Sequence, residues 1–209
     1  LNSLFTEIIW WYPANSDFNN KAVSYNYAES QGVAGGVWAL STEARTSWMD
    51  SKVYEKPYAT KFDTTGTGSF PTILGESGLG QTKYFQHEVG TDQRNEDGSV
   101  TTITSSLQSY DFDLQGQEGT ASKFVSVSRF LPDFKTIAGN ATVTLAVKDF
   151  PSSTESSSTH SPFTITSSTT KIDTRARGRF VNVKIANTAA NESWRYGTLA
   201  LDVKPDGGR

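Results

Sequence analysis

The chain has 209 residues, 19 Lys and Arg against 22 Asp and Glu, and a net charge of -3, which leaves no basic excess for a generic nucleic-acid clamp. It has no Cys and only two His, His87 and His160, which excludes disulfides, a cysteine nucleophile and any thiolate or multi-histidine metal site. Hydrophobic residues make up 35% and aromatics 12%, so a core can form and leans on rings, while Ser and Thr supply about a quarter of the chain. That balance suits pleated, half-buried surfaces and turns, and the fold class expected is all-β.

No apolar run approaches the roughly 20 residues that span a bilayer, and the first residues lack the basic-then-apolar plan of a signal peptide. Leu1 stands where an initiator Met would, and a strand-like run starts at Glu7, as expected of the C-terminal piece of a longer chain.

Glu7 to Tyr12 is an aromatic, β-branched run stopped by Pro13 and a polar cluster to Asn20. Lys21 to Tyr27 alternates, with Val23, Tyr25 and Tyr27 on one face, and Gly35-Gly36 leads into Val37 to Leu40. Three short runs so close together predict a small antiparallel meander. Thr42 to Met49 offers a short helical turn after Ser41 or Thr42 as cap. Asp63 to Gly80, rich in Gly, Ser and Thr, reads as a long loop. Tyr84 to Val89 reads as a strand, and the Asp97-Gly98 pair favours a hairpin into Ser99 to Leu107, giving a second meander.

From Ser122 the pattern is cleaner. Phe124 to Val127, Thr142 to Val147, Phe163 to Thr166, Thr174 to Ile185 and Gly197 to Val203 predict a β-sandwich. The Ser/Thr stretch Ser152 to Ser161 reads as an exposed loop between two of these strands. Glycines near Gln115 to Ser122 place a boundary there, with residues 1–118 as β-meanders and 119–209 as the sandwich.

Candidate chemistry is sparse. Asp111 and Asp113 flank Phe112, so on a strand both carboxylates share a face, as a glycosidase pair or cation site would require, or as any solvated strand shows. His87-Glu88 followed by Asp92 offers an acid/base or metal group, although one His alone reads more simply as a hydrogen-bonded structural residue. Trp10, Trp11, Trp38 and Trp48 could form a sugar-stacking platform, or simply core. No Gly-x-Ser-x-Gly, P-loop or Rossmann signature occurs, and no cofactor is expected. Asn140 and Asn191 head glycosylation triplets that arise by chance in so Ser/Thr-rich a chain.

Arg175, Arg177 and Arg179 alternate, so one unbroken strand would set three guanidiniums on a single face, the strongest charge feature of the chain. The same parity runs on into Val181, Val183 and Ile185, which should be buried. The phase contradicts itself unless a bulge near Gly178 flips it or the arginines lie beyond the sheet's edge. These arginines are the candidate interaction surface, reading either as a contact for an acidic partner or as a solvated or salt-bridged strand end, with a phosphate contact well behind.

Trp11-Tyr12-Pro13, Tyr25-Asn26-Tyr27, Arg45-Thr46 with Trp48 and Asp50, His87-Glu88 with Gly90-Thr91-Asp92, and Ser128-Arg129-Phe130 with Pro132-Asp133 resemble the C-terminal portion of tail structural proteins of tailed bacteriophages. The resemblance is to the tubular or nozzle kind found in short-tailed phages. The closing stretch carries most of the resemblance: Asp173 with Arg175 to Arg179, Trp194-Arg195-Tyr196-Gly197, Leu201-Asp202 and Pro205-Asp206-Gly207. The resemblance implies a non-enzymatic virion component of a tail or head-to-tail assembly. Its partners would be other virion proteins and copies of itself, with no specific nucleic acid and no membrane. It also implies that the N-terminal meanders are blades, or parts of blades, of a β-propeller. A carbohydrate- or receptor-binding β module is the alternative, with a glycan hydrolase behind it.

Overall fold

The computed structural model describes residues 1–63, 81–95, 97–113, 123–150, 158–160 and 162–208. Within them every regular element is a strand, and all pairings between strands are antiparallel. The protein is all-β. It divides into two compact units, Leu1–Val89 and Gly90–Arg209.

In the first unit β1 (Glu7–Tyr12), β2 (Lys21–Asn26) and β3 (Val37–Ser41) form one sheet in chain order. β4 (Ser47–Met49), β5 (Tyr58–Asp63) and β6 (Gln81–Gln86) form a second. The turn into β3 depends on Gly36, whose φ of +73° and close approach to the Tyr25 ring leave no room for a side chain. Where a helical turn was expected at Thr42 to Met49, Ser41 Oγ accepts the Glu43 amide at 2.9 Å but starts no helix. The chain stays extended, because Trp48 and Met49 pair with Ala59 and Tyr58.

This unit buries little. Among its described residues the buried side chains are Ala22, Ala44, Pro57 and Ala59, with Asn2, Ser30 and Arg45.

The second unit is built around two sheets. The larger has β13 (Ala141–Lys148) and β17 (Phe180–Ala186) at its centre. Short strands fill both flanks: β9 (Ser106–Gln108) and β10 (Phe112–Asp113) pair with β17, while β14 (Ser158–Thr159) and β15 (Phe163–Ile165) pair with β13. The other sheet orders β16 (Ile172–Gly178), β11 (Lys123–Leu131) and β19 (Ala200–Gly208). Strict alternation in β13 buries Ala141, Val143, Leu145 and Val147. These side chains join Val127 and Phe130 of β11, Ala176 of β16 and Val181, Val183 and Ile185 of β17 in one core. A two-stranded ribbon, β12 (Phe134–Ala138) with β18 (Ser193–Tyr196), packs Phe134, Ile137, Trp194 and Tyr196 against it. The remaining hairpin, β7 (Gln93–Arg94) with β8 (Val100–Thr101), turns at Gly98, where φ is +82°.

The loop expected at Asp63 to Gly80 lies outside the described residues except for Asp63, which ends β5, and the expected boundary at 115–122 lies outside them altogether. Of the loop expected at Ser152 to Ser161, residues 152–157 lie outside them too, while Ser158–Thr159 instead pair with β13 as β14, because Ala146 and Val147 leave an edge for them. Residues 90–113 belong with the second unit, ahead of the 118/119 division read from the sequence. The cause is specific: β9 and β10 complete the flank of β17, and buried Asn187 donates to Ile103 O at 3.1 Å and accepts the Ser105 amide at 2.9 Å.

The phase conflict around Gly178 resolves as a change of sheet. β16 buries Ala176 and Gly178, β17 buries Val181 and Val183, and Arg179 sits at the crossing with its amide donating to Lys148 O at 2.9 Å. A Cβ on Gly178 would lie 2.9 Å from Val147 Cβ and 3.1 Å from Lys148 O, so the crossing needs glycine.

Candidate functional site

Register assigns the tryptophans of the first unit to opposite faces. Pairing of Ile8 with Tyr25 and Trp38, and of Trp10 with Val23 and Leu40, puts all six on one side of the first sheet. This side is open: Trp10 is 46% exposed, Trp38 55% and Leu40 80%. Trp38 lies 6.1 Å from Trp10 and 4.6 Å from Tyr25 between ring centroids. Trp11 points to the other side, where it meets Trp48 at 5.3 Å. The four tryptophans are therefore two pairs, one outward and one inward, and not a single platform.

The inner side of the sheet faces a polar arrangement around His87. Arg45, almost fully buried, donates Nε–H to His87 Nε2 at 2.8 Å, binds the Ala44 carbonyl at 2.6 Å and pairs with Glu43 at 2.5 Å. Its guanidinium also lies 4.2 Å from the centre of the Phe85 ring. His87 packs on Trp48 at 4.8 Å. Burial, and then the Arg45 charge, lower the His87 pKa from 6.5 to about 4. His87 is thus a neutral acceptor that positions Arg45. Asp92, grouped with it in the sequence, is engaged elsewhere and accepts the Asn191 amide at 2.6 Å.

Arg175 stands apart, while Arg177 and Arg179 meet over one ring, Phe124. Arg175 and Arg177 lie on the exposed side of β16, and Arg177 pairs with Asp206 at 2.6 Å while its guanidinium lies 4.1 Å from the Phe124 ring centre. Arg179 leaves their row at the change of sheet and lies over Phe124 at 4.9 Å and Phe150 at 5.4 Å. Arg175 borders a shallow depression of about 410 Å³ together with His160, Phe163, Asp173 and Thr174. Next to it, Asp173 binds Arg129 at 2.9 Å and Lys171 at 2.9 Å. The outer surface here carries both signs of charge in alternation, which limits long-range steering and favours short-range pairing.

Asp111 precedes β10 and forms an ion pair with Lys148 at 2.7 Å, both groups being about one-fifth exposed. Asp113 lies on β10 opposite Phe180. Among the described residues no group of three or more His, Cys, Asp or Glu is placed to hold a metal ion.

No protein-family model matches the chain, and a search of curated proteins finds no match to it.

Proposed function

We propose that the chain is a structural, non-enzymatic component of a phage virion, part of a tail or head-to-tail assembly that contacts other virion proteins and copies of itself. The observation that supports this reading is the outward apolar face of the first sheet. Trp10, Trp38 and Leu40 stand in water, on the side of the sheet opposite the Trp11–Trp48 contact. A contiguous exposed apolar surface of this kind marks a contact surface, since folding alone gains nothing from it. In this reading the two N-terminal sheets are parts of propeller blades, the C-terminal unit is the sandwich, and Arg175 and Arg177 add short-range polar contacts.

The test is incorporation into particles. A Trp38→Ala, Leu40→Ser variant and an Arg175→Glu, Arg177→Glu variant should each keep the fold, yet enter purified virions at a reduced level measured by mass spectrometry. Absence of the unaltered chain from purified virions refutes the proposal.

The paired Trp10 and Trp38 rings support one second reading, a carbohydrate-binding module that stacks sugar rings on this face. Saturable binding to a glycan array that is lost in Trp38→Ala, with no incorporation into particles, would favour it.

A further inference from the structure

β3 is an edge strand that no other strand covers among the described residues. It pairs only with β2, in an unbroken register from Val37 to Ser41, and every residue after Val37 is exposed. It carries no charge, no proline and no bulge, the devices by which folded proteins keep an open edge from pairing.

The direction of its main-chain groups follows from the far side of the sheet. Glu7 exchanges main-chain hydrogen bonds with Asn2 at 2.8 and 3.1 Å, so Glu7 and Asn26 are a non-hydrogen-bonded pair of β1 and β2. Alternation then turns the main-chain groups of Ser24 and Ala22 toward β3, where they meet Ala39 and Ser41. The N–H and C=O of Trp38 and Leu40 therefore point out of the open edge, and no described residue bonds to them.

We propose that this edge pairs with β3 of a second copy of the chain, antiparallel about a two-fold axis at Ala39. The proposal rests on the reading of the aromatic face as a contact surface and names what covers it. With Ala39 opposite its own copy, Trp38 of one chain faces Leu40 of the other. These are the residues whose main-chain groups are free, and each such pair can exchange both of its hydrogen bonds. The side chains fit the same register. The rows Ile8–Tyr25–Trp38 and Trp10–Val23–Leu40 run on into each other across the axis, so an exposed ring meets an exposed aliphatic side chain on both sides of it. Small Ala39 takes the non-hydrogen-bonded position at the axis, where opposite strands come closest. Trp38 is already held for the contact, its Nε1 donating to Gly35 O at 2.7 Å and its ring packed on Tyr25, so little freedom is lost on pairing. The β1 edge is less open, because Asn2 bridges Glu7 there and Trp11 packs on Trp48. A head-to-tail array would moreover set β3 parallel to β1 of the next copy, unlike every described pairing. So short an edge falls below the roughly 1,200–2,000 Å² of a standard stable interface, and the dimer is of the transient class, with a Kd of about 10–100 μM.

Sedimentation equilibrium of the full chain from about 1 to 500 μM should give a monomer–dimer equilibrium in that range. Leu40→Pro removes an outward N–H and none that faces β2, and should weaken association about tenfold or more with an unchanged far-ultraviolet spectrum. Cross-linking tests the register, since the chain has no cysteine of its own. Ala39→Cys should oxidise to a disulfide-linked dimer, because its Cα atoms would lie about 4.5–5.5 Å apart across the axis. Ser41→Cys, about 14 Å from its copy, should not. This pair of variants keeps the test open if Leu40→Pro does not fold. The pairing is overturned by a chain that stays monomeric at about 500 μM, by growth beyond the dimer, by equal association of folded Leu40→Pro, or by equal cross-linking at the two cysteine positions. A monomer that still enters virions would overturn the pairing and leave the contact-surface reading standing, whereas a dimer absent from virions would support the pairing and remove the virion reading.

Discussion

Acidification should loosen the first unit through His87, and the size of the effect follows from its surroundings. At neutral pH the imidazole is uncharged and its Nε2 lone pair accepts the Arg45 Nε–H at 2.8 Å. Protonation replaces that acceptor with a donor and sets two cations side by side. In the unfolded chain His87 takes its proton near 6.5, but in the folded unit only near 4. Between these values the unfolded state binds more protons, so stability rises with pH; it is fully present above about 6.5 and lost as pH falls toward 4. At about 1.4 kcal/mol per tenfold change, the loss across this window approaches about 3 kcal/mol. The side chain is 11% exposed, so solvent screening removes little of it. Glu7 acts with the opposite sign: its raised folded pKa adds stability as pH falls, which makes a comparison with a variant necessary. His87→Gln keeps an acceptor for Arg45 and cannot titrate. Urea unfolding followed at the Trp48 indole from pH 7 to 4 should show a steep pH dependence in the native chain and a shallow one in the variant. A folded-state His87 titration centred near 6.5, or an equal slope in both proteins, would refute the reasoning.

Other substitutions test the second unit. Gly178→Ala places a methyl 2.9 Å from Val147 Cβ and should cost about 1–3 kcal/mol in thermal unfolding; an unchanged midpoint would mean the crossing can yield. Trp194→Ala removes a half-buried ring that packs edge-on to Phe134 at 6.4 Å, for an expected loss of about 2–4 kcal/mol; a loss under about 1 kcal/mol would place Trp194 in a contact surface instead. Asp111→Asn strands the half-enclosed Lys148 ammonium and should cost about 1–3 kcal/mol, part of which Lys148→Met restores in the double variant; simple additivity of the two changes would show that the pair is not coupled.

Strands with a consistent period were legible in the sequence. Lys21 to Tyr27 and Thr142 to Val147 alternate over enough residues for the pleat to be read directly, Glu7 to Tyr12 is marked instead by its unbroken aromatic and β-branched composition, and the structure places β2, β13 and β1 there. Clashing parity across Gly178 marked the place of a break, but the sequence reads there as a bulge within one strand, whereas β16 and β17 belong to different sheets. What was not legible has physical causes. Trp10 and Trp11 are adjacent, so one must face outward, but nothing local says which, since both sides of the strand are aromatic. β7, β8 and β10 are two residues each and carry no period at all, so the attachment of residues 90–113 to β17 is a tertiary fact. Asn187, which secures that attachment, looks in the sequence like an ordinary turn residue. Asn2 and Arg45 gave no chemical signal of their own; only the return of the chain at His87 and Glu88, which they contact, makes them one group.

The passage of one chain from β16 into β17 ties the alignment of the two sheets in the second unit to each other. A slip of β16 by one residue along β11 would drag β17 by one residue along β13, because Arg179 alone separates them. Every side chain of β17 would then turn over, presenting Val181, Val183 and Ile185 to water and Asn182 and Lys184 to the interior. The one-residue link at Arg179 couples a slip in one layer to a penalty in the other.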